Sequence, residues 1–320
     1  MAIGLACSGE QRADVAVVFA FDRNYARFAL FAAAQIAGLA PRRGFDICLC
    51  SAEDLAPVPG LAAHGFRHCR VDTGGIFAGL GVDAQRTEAA YLRLALPAAF
   101  AGSYRRLLYL DADVYVQGGD FAALLAVGIG PHPLAAVRDN VQWRTPGRRL
   151  KSFRRLGLPA APAFNSGVLL IDVAAFNGQE VLARCLEFAR NHPRERIGLD
   201  QDLINAVLHG GWAEISPVWN WQYTWASRMF ETMADAHVVH FIGPKKPWRH
   251  TGGELPLRFR RAYRAFFDEY FPDAPAVDED GLAPMTNRAF LQRSLVKHLV
   301  SAHKMVAYLE RFPTDLTVLT

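Results

Sequence analysis

Six short apolar runs, at residues 15–21, 45–50, 106–110, 133–137, 168–172 and 238–242, alternate along this chain with stretches of helical composition. A strand followed by a helix tends to return in the same direction, so the alternation predicts an α/β fold. Its core is a mixed, mainly parallel sheet with helices on both faces. The 320 residues, 51% hydrophobic and 21% charged, suffice for one large buried core plus an appendage. An acidic, Pro-rich stretch over 273–286 reads as a linker, giving a domain over 12–272 and a tail over 287–320.

The third run ends in two acids: residues 107–116 read Leu-Leu-Tyr-Leu-Asp-Ala-Asp-Val-Tyr-Val. On an extended backbone residues two apart point the same way, so Asp111 and Asp113 can converge on one cation. Paired carboxylates suit Mg²⁺ or Mn²⁺, ions that commonly bridge to substrate phosphates. An Asp-x-Asp can equally be a turn that closes a strand. A second signal comes from 236–248, Ala-His-Val-Val-His-Phe-Ile-Gly-Pro-Lys-Lys-Pro-Trp. His240 on this apolar run is a candidate third ligand that favours Mn²⁺, and Lys246 can neutralise phosphates. By itself, a histidine on a strand is more often a core residue.

Together these two motifs resemble glycosyltransferase family 8, the retaining transferases that include bacterial lipopolysaccharide galactosyl- and glucosyltransferases and the glycogenins. Four further stretches follow the family's order: Val-Val-Phe-Ala-Phe-Asp-Arg-Asn-Tyr at 17–25, Tyr-Leu-Arg-Leu at 91–94, Phe-Asn-Ser-Gly-Val-Leu-Leu-Ile-Asp at 164–172, and Leu-Asp-Gln-Asp-Leu-Ile-Asn at 199–205. The resemblance implies a single Rossmann-like domain of the GT-A type that takes a UDP-sugar donor with Mn²⁺ or Mg²⁺. It carries Ala20, Asp22 and Asn24 over to base and ribose contacts, and Arg93, Asp111, Ala112, Gly243 and Lys246 to the rest of the donor. Asp111, Asp113 and His240 become the metal ligands, and Asn165, Asp200 and Gln201 the catalytic residues beside the transferred sugar. The implied reaction moves galactose or glucose, with retention, to a glycan acceptor such as a lipopolysaccharide or lipooligosaccharide core. A protein or another glycan is the alternative acceptor.

Each stretch also has a plainer reading. Asp22 and Asn24 can cap the Ala-rich helix that follows from Tyr25. Arg93 falls in a helical pattern where an arginine usually faces solvent. Asn165-Ser166-Gly167 can be a turn, and acids at 200 and 202 favour a helix N-terminus. A strand followed by Asp-x-Asp also resembles the nucleophile motif of haloacid-dehalogenase-type phosphatases, but that motif normally lies near the amino terminus. A nucleotide-sugar-binding protein without turnover is the non-enzymatic rival.

The remaining features concern environment and partners. Cys7, Cys48, Cys50, Cys69 and Cys185 lack zinc-type spacing and read as five free thiols in a reducing, cytosolic compartment. No run reaches the ~20 apolar residues of a membrane span, and no signal peptide is recognisable. The tail carries +3 of the net +4, from Arg288, Arg293, Lys297, Lys304 and Arg311 against Glu310 and Asp315. The nearly neutral remainder gives no reason to expect a nucleic-acid partner. Two stretches in it are locally basic, 138–155 and 245–264; the first, interrupted by Pro146 and Gly147, reads as a mobile lid over an acidic or phosphorylated acceptor. In the tail, Phe290, Leu291, Leu295, Val296, Leu299 and Val300 recur at helical spacing beside basic residues. A basic amphipathic helix of this kind can pack on the domain or lie on an anionic membrane, which would make the protein peripheral at the inner face of the cytoplasmic membrane.

Overall fold

The computed structural model describes residues 3–80, 88–193, 196–249, 255–275, 277 and 287–320. The chain begins with β1 (Gly4–Cys7), β2 (Val15–Ala20), α1 (Ala26–Leu39), β3 (Asp46–Ser51), β4 (Arg67–Asp72), α2 (Ala89–Ala99), β5 (Arg106–Leu110) and β6 (Val114–Val116). It continues through α3 (Phe121–Ala126), β7 (Leu134–Arg138), α4 (Asn140–Trp143), α5 (Lys151–Arg155), β8 (Phe164–Asp172), α6 (Val173–Gly178), α7 (Val181–Asn191), α8 (Asp200–Leu208) and β9 (Ala213–Ile215). The last elements are β10 (Trp221–Gln222), α9 (Phe230–Met233), β11 (Val238–His240), α10 (Leu257–Tyr270), α11 (Arg288–Leu309) and β12 (Val318–Leu319).

The six apolar runs appear as β2, β3, β5, β7, β8 and β11. They are legible because their residues are covered on both sides: every residue of β2 is buried, so the strand reads as a continuous apolar run and not as an alternation. A nine-stranded sheet has the order β1-β4-β3-β2-β5-β8-β7-β9-β12, and a small one the order β10-β11-β6. In the large sheet β2, β3, β4, β5, β7 and β9 run one way, while β1, β8 and β12 run against them. One face packs on α1, α3 and α10, the other on α2, α6, α7 and α8. This is the expected mixed, mainly parallel sheet sandwiched between helices.

The tail is tied to this core. The Asn287 side chain accepts from the Phe290 N–H to cap α11, whose Tyr308 stacks on Trp143 with ring centres 5.5 Å apart. β12 then pairs with β9 at the sheet edge. The helix turns Ser294, Ser301, Met305 and Tyr308 inward and leaves Leu295, Val296, Leu299 and Val300 exposed. Of the stretch read as a linker, residues 276 and 278–286 lie outside the described residues. Among those described, no helix is long and apolar enough to cross a membrane.

Two expectations are corrected. Cys7 and Cys69 form a disulfide, so only Cys48, Cys50 and Cys185 are free thiols, all buried. The cause is register: antiparallel pairing of β1 with β4 sets Cys7 opposite Cys69. The basic stretch 144–155 is loose only in part: residues 145–148 are exposed, while its later part is pinned to the domain. Leu150 and Phe153 pack with Ala163, and the Gln142 amide donates to the carbonyls of Arg148 and Ala161 at 2.8 and 2.9 Å.

Candidate active site

β5 belongs to the large sheet and β6 to the small one, and the chain crosses between them through Asp111, Ala112 and Asp113. The same end of the parallel strands carries the turn after β2, so both motifs lie at the carboxyl edge where open α/β sheets take ligands. A cavity of about 430 Å³ opens there. It is lined by Ala20, Asp22, Arg93, Asp111, Ala112, Asp113, Asn165, Asp200, Gln201, His240, Gly243 and Lys246, which is every candidate read from the sequence except Asn24. Asn24 is exposed, and its N–H and that of Tyr25 donate to Asp22 Oδ1 at 3.0 and 3.2 Å. Asp22 thus closes a turn ahead of α1, whose N-cap Tyr25 has no side-chain cap, so the capping reading does not hold, while Asp22 still lines the cavity.

Arg93, which sequence reasoning alone would leave in solvent, is 7% exposed and holds the centre of the site together. Its guanidinium donates to Asp111 Oδ1 at 2.7 Å and to the Ser166 carbonyl at 2.7 Å, and lies 3.1 Å from Asp200 Oδ2. Burial disfavours the Arg93 cation, but Asp111 and Asp200 outweigh it, so its pKa lies above the ordinary arginine value. The Tyr109 hydroxyl donates to the same Asp111 oxygen at 2.6 Å. With Oδ1 engaged twice, Asp111 presents Oδ2 to His240.

The imidazole is aimed by a residue the sequence did not announce. Asn220, fully buried, donates its amide N–H₂ to Asn165 Oδ1 at 2.9 Å and turns its own oxygen to His240 Nδ1, 3.0 Å away. An acceptor at Nδ1 keeps a proton on that nitrogen, so Nε2 is the ring atom that could ligate a metal. Nε2 lies 3.1 Å from Asp113 Oδ1 and 3.8 Å from Asp111 Oδ2. One ligand atom from each of Asp111, Asp113 and His240 falls within 4.8 Å of the others. Two carboxylates and a neutral imidazole fit Mn²⁺ well. Gly167 keeps this corner open, since a Cβ there would sit 2.2 Å from the imidazole and 2.9 Å from Asp111 Oδ2.

Lys246 donates to Asp113 Oδ2 at 2.5 Å and to the Phe241 carbonyl. Burial raises the Asp113 pKa, but Lys246 and His240 outweigh it and hold the carboxyl well below its usual range. Trp248, two residues on, stacks on Phe28 of α1 with ring centres 4.1 Å apart and anchors this segment to the core. On another wall, Gln201 Oε1 accepts from Asn165 Nδ2 and the Ser166 N–H at 3.1 and 3.2 Å, and Gln201 Nε2 donates to Asp139 at 3.2 Å. The amide oxygen expected to face the sugar is therefore already engaged by two donors. Asp139 itself is pushed up by burial, against the lowering effect of the Val141 N–H it accepts. Tyr109 was findable, since it lies on β5 two residues before Asp111; Asn220 and Asp139 carry no comparable signal.

The model of glycosyl transferase family 8 matches residues 16–252. General stress protein A of Bacillus subtilis is 31% identical over 58% of this chain and 64% of its own length. A lipopolysaccharide 1,3-galactosyltransferase of Salmonella typhimurium is 28% identical over 53% and 52%, and lipopolysaccharide glucosyltransferase WaaO of Escherichia coli 27% over 72% and 66%. The chain thus spans about half to two thirds of these relatives. Among solved structures, the galactosyltransferase LgtC with donor and acceptor sugar analogs aligns at a TM-score of 0.63 and 24% identity, over 82% of this chain and 97% of that one.

Proposed function

Since the chain belongs to glycosyltransferase family 8, we propose that it is a metal-dependent, retaining hexosyltransferase moving galactose or glucose from a UDP-sugar to a glycan acceptor. The observation that carries this reading is the convergence of Asp111, Asp113 and His240 inside a cavity whose walls also hold Asp22 and the Asp200-Gln201 pair. Asp111, Asp113 and His240 would hold Mn²⁺, which as a Lewis acid stabilises the charge that develops on a departing diphosphate. Lys246 adds a second positive charge beside the same oxygens. Ala20 and Asp22 take the uridine side of the donor, with Asn24 supporting the turn. Arg93 keeps Asp111 and Asp200 in their rotamers, and Ala112 and Gly243 allow close backbone approach. Asp200, Gln201 and Asn165 bind and orient the sugar, and Asp200 offsets the positive charge that grows on its ring.

The acceptor in this reading is a glycan of the lipopolysaccharide-core kind, in keeping with what the Salmonella and Escherichia relatives are named for. We place the protein at the cytoplasmic face of a membrane, docked through the exposed apolar row of α11 and its flanking Arg293 and Lys304. In this division 12–272 is the catalytic unit, 273–286 a linker and 287–320 the docking tail. The test is UDP release from a panel of UDP-sugars. UDP-galactose or UDP-glucose is expected to be cleaved with Mn²⁺ and not with EDTA, and the anomeric proton of the transfer product should report an α linkage. Full activity in EDTA, or a β product, overturns the reading.

A further inference from the structure

Trp225 is 44% exposed, although nearly all the surrounding aromatics are buried. It does not project from a loose loop. The Ser227 hydroxyl accepts from the Thr224 N–H at 2.8 Å and donates to the Gln222 carbonyl at 2.6 Å, while Trp221 Nε1 donates to the Ser227 carbonyl at 3.3 Å. A rigid turn thus holds an indole out in water, an arrangement typical of binding surfaces.

Two cations lie over that indole. The Arg144 guanidinium is 4.7 Å and the Lys297 ammonium 5.0 Å from the ring centre. They come from separate elements, Arg144 from the end of α4 and Lys297 from α11. Among the described residues neither pairs with a carboxylate. The ring therefore gathers two unneutralised positive charges at one spot beside an apolar surface.

Two short backbone links connect that spot to residues of the candidate active site. Gln222 is in register with His240 across β10 and β11, and Trp225 follows three residues later. Asp139, which holds the Gln201 amide, precedes Arg144 by one short helix, roughly 7 Å at 1.5 Å per residue. We propose that Trp225, Arg144 and Lys297 form an acceptor subsite for an anionic sugar unit, with its C–H face on the indole and its phosphate or carboxylate between the two cations. The assignment of this ligand to the acceptor rests on the transferase reading of the neighbouring cavity.

The experiment uses the full chain labelled with 5-fluorotryptophan, the donor site saturated with UDP and Mn²⁺, and the Trp225 ¹⁹F resonance assigned by W225F. Glucose 6-phosphate is expected to shift that resonance with a midpoint at least tenfold below those of glucose and of inorganic phosphate. The R144Q/K297Q double variant, its fold checked by circular dichroism, should lose this advantage. Equal midpoints for the three probes, no shift, or a shift that survives the double variant overturns the proposal. So does a resonance that responds to phosphatidylglycerol vesicles and not to glucose 6-phosphate, which would assign the indole to a membrane seat. UDP release by the unlabelled protein is measured separately. Sugar-phosphate binding at Trp225 without UDP release would sink the transferase reading and leave the anionic-sugar site standing.

Discussion

Two sites in this molecule surround buried carboxylates with cations and differ in what they leave open. At the cavity, Asp111, Asp113 and Asp200 sit among Arg93, Lys246 and His240. Some 100 residues along the chain from Asp111, on β9, Glu214 sits between Arg138 and Arg311, under the Tyr308 hydroxyl. Glu214 Oε1 accepts from Arg138, Tyr308 and Arg311 at 2.9, 3.0 and 3.2 Å, and Oε2 from Arg138 and Arg311 at 2.6 and 2.9 Å. Both of its oxygens are saturated by protein donors. Asp111 by contrast spends one oxygen on Arg93 and Tyr109, and the other faces an open cavity beside His240. A cluster that closes on itself stabilises the fold; a cluster that leaves one edge facing space can take a ligand. Glu214 also joins the tail to the core, because Tyr308 and Arg311 both lie beyond residue 287.

The sharpest way to break this comparison is to substitute one acid of each cluster. Asp113→Asn should lower Mn²⁺-dependent UDP release by about a thousandfold, because a proposed metal ligand and the partner of Lys246 are both lost. Its effect on stability should stay near 1 kcal/mol, since the amide can still accept a hydrogen bond. Glu214→Ala should show the opposite pattern, costing about 3 kcal/mol in urea unfolding by stranding two arginines, while turnover per folded molecule changes little. If Asp113→Asn unfolds the protein, or Glu214→Ala abolishes turnover at full folding, the two clusters do not divide the work in this way.

How much of this the sequence disclosed follows from what each residue depends on. The central strands were legible because burial on both faces gives an apolar run that local composition reports. β6 and β10, three and two residues long, are too short to leave a pattern. The Asp-x-Asp pair was legible as chemistry because two acids one residue apart at a strand end stay close together, although they lie in the turn between β5 and β6 and not on an extended strand. Arg93 was legible only through the family resemblance, since its burial depends on Asp111 and Asp200, brought in by other elements. The disulfide was hidden by the register of an edge strand. In α11 the apolar residues, which could have met either the domain or a membrane, face outward, and a stripe that includes two serines faces in. Periodicity located the helix and could not say which side was covered.

Asn220 gives a finer test, because it reaches the metal candidates only through His240 and Asn165. Asn220→Ala should weaken Mn²⁺ binding by about 10–100-fold, the range found when the hydrogen-bond partner of a ligating histidine is lost. Calorimetric titration of Mn²⁺ with UDP present measures it. Asn220→Asp, which keeps an acceptor for Nδ1, should recover part of the loss. If both variants bind Mn²⁺ like the parent, His240 needs no orientation from Asn220.

The smallest expected effect separates the clusters by acidity. Burial raises the Glu214 pKa, but Arg138 and Arg311 outweigh it, so the folded carboxyl titrates below its unfolded value. For a depressed carboxylate, the stabilisation is fully present above the unfolded pKa, about 4.3, and is lost as pH falls through the folded one. Glu214→Gln should therefore be less stable than the parent by a constant margin between pH 7 and pH 5. That margin should shrink once the solution is more acidic than about pH 4, where the unfolded parent takes up a proton that the folded carboxylate does not. Asp113 is also held low, but it is present in both proteins and cancels in the difference. Urea midpoints of the two proteins measured side by side over this range give the margin directly. A margin that stays flat into acid would mean that the glutamate is not held ionised by its arginines, and that the closed cluster stabilises the fold through packing alone.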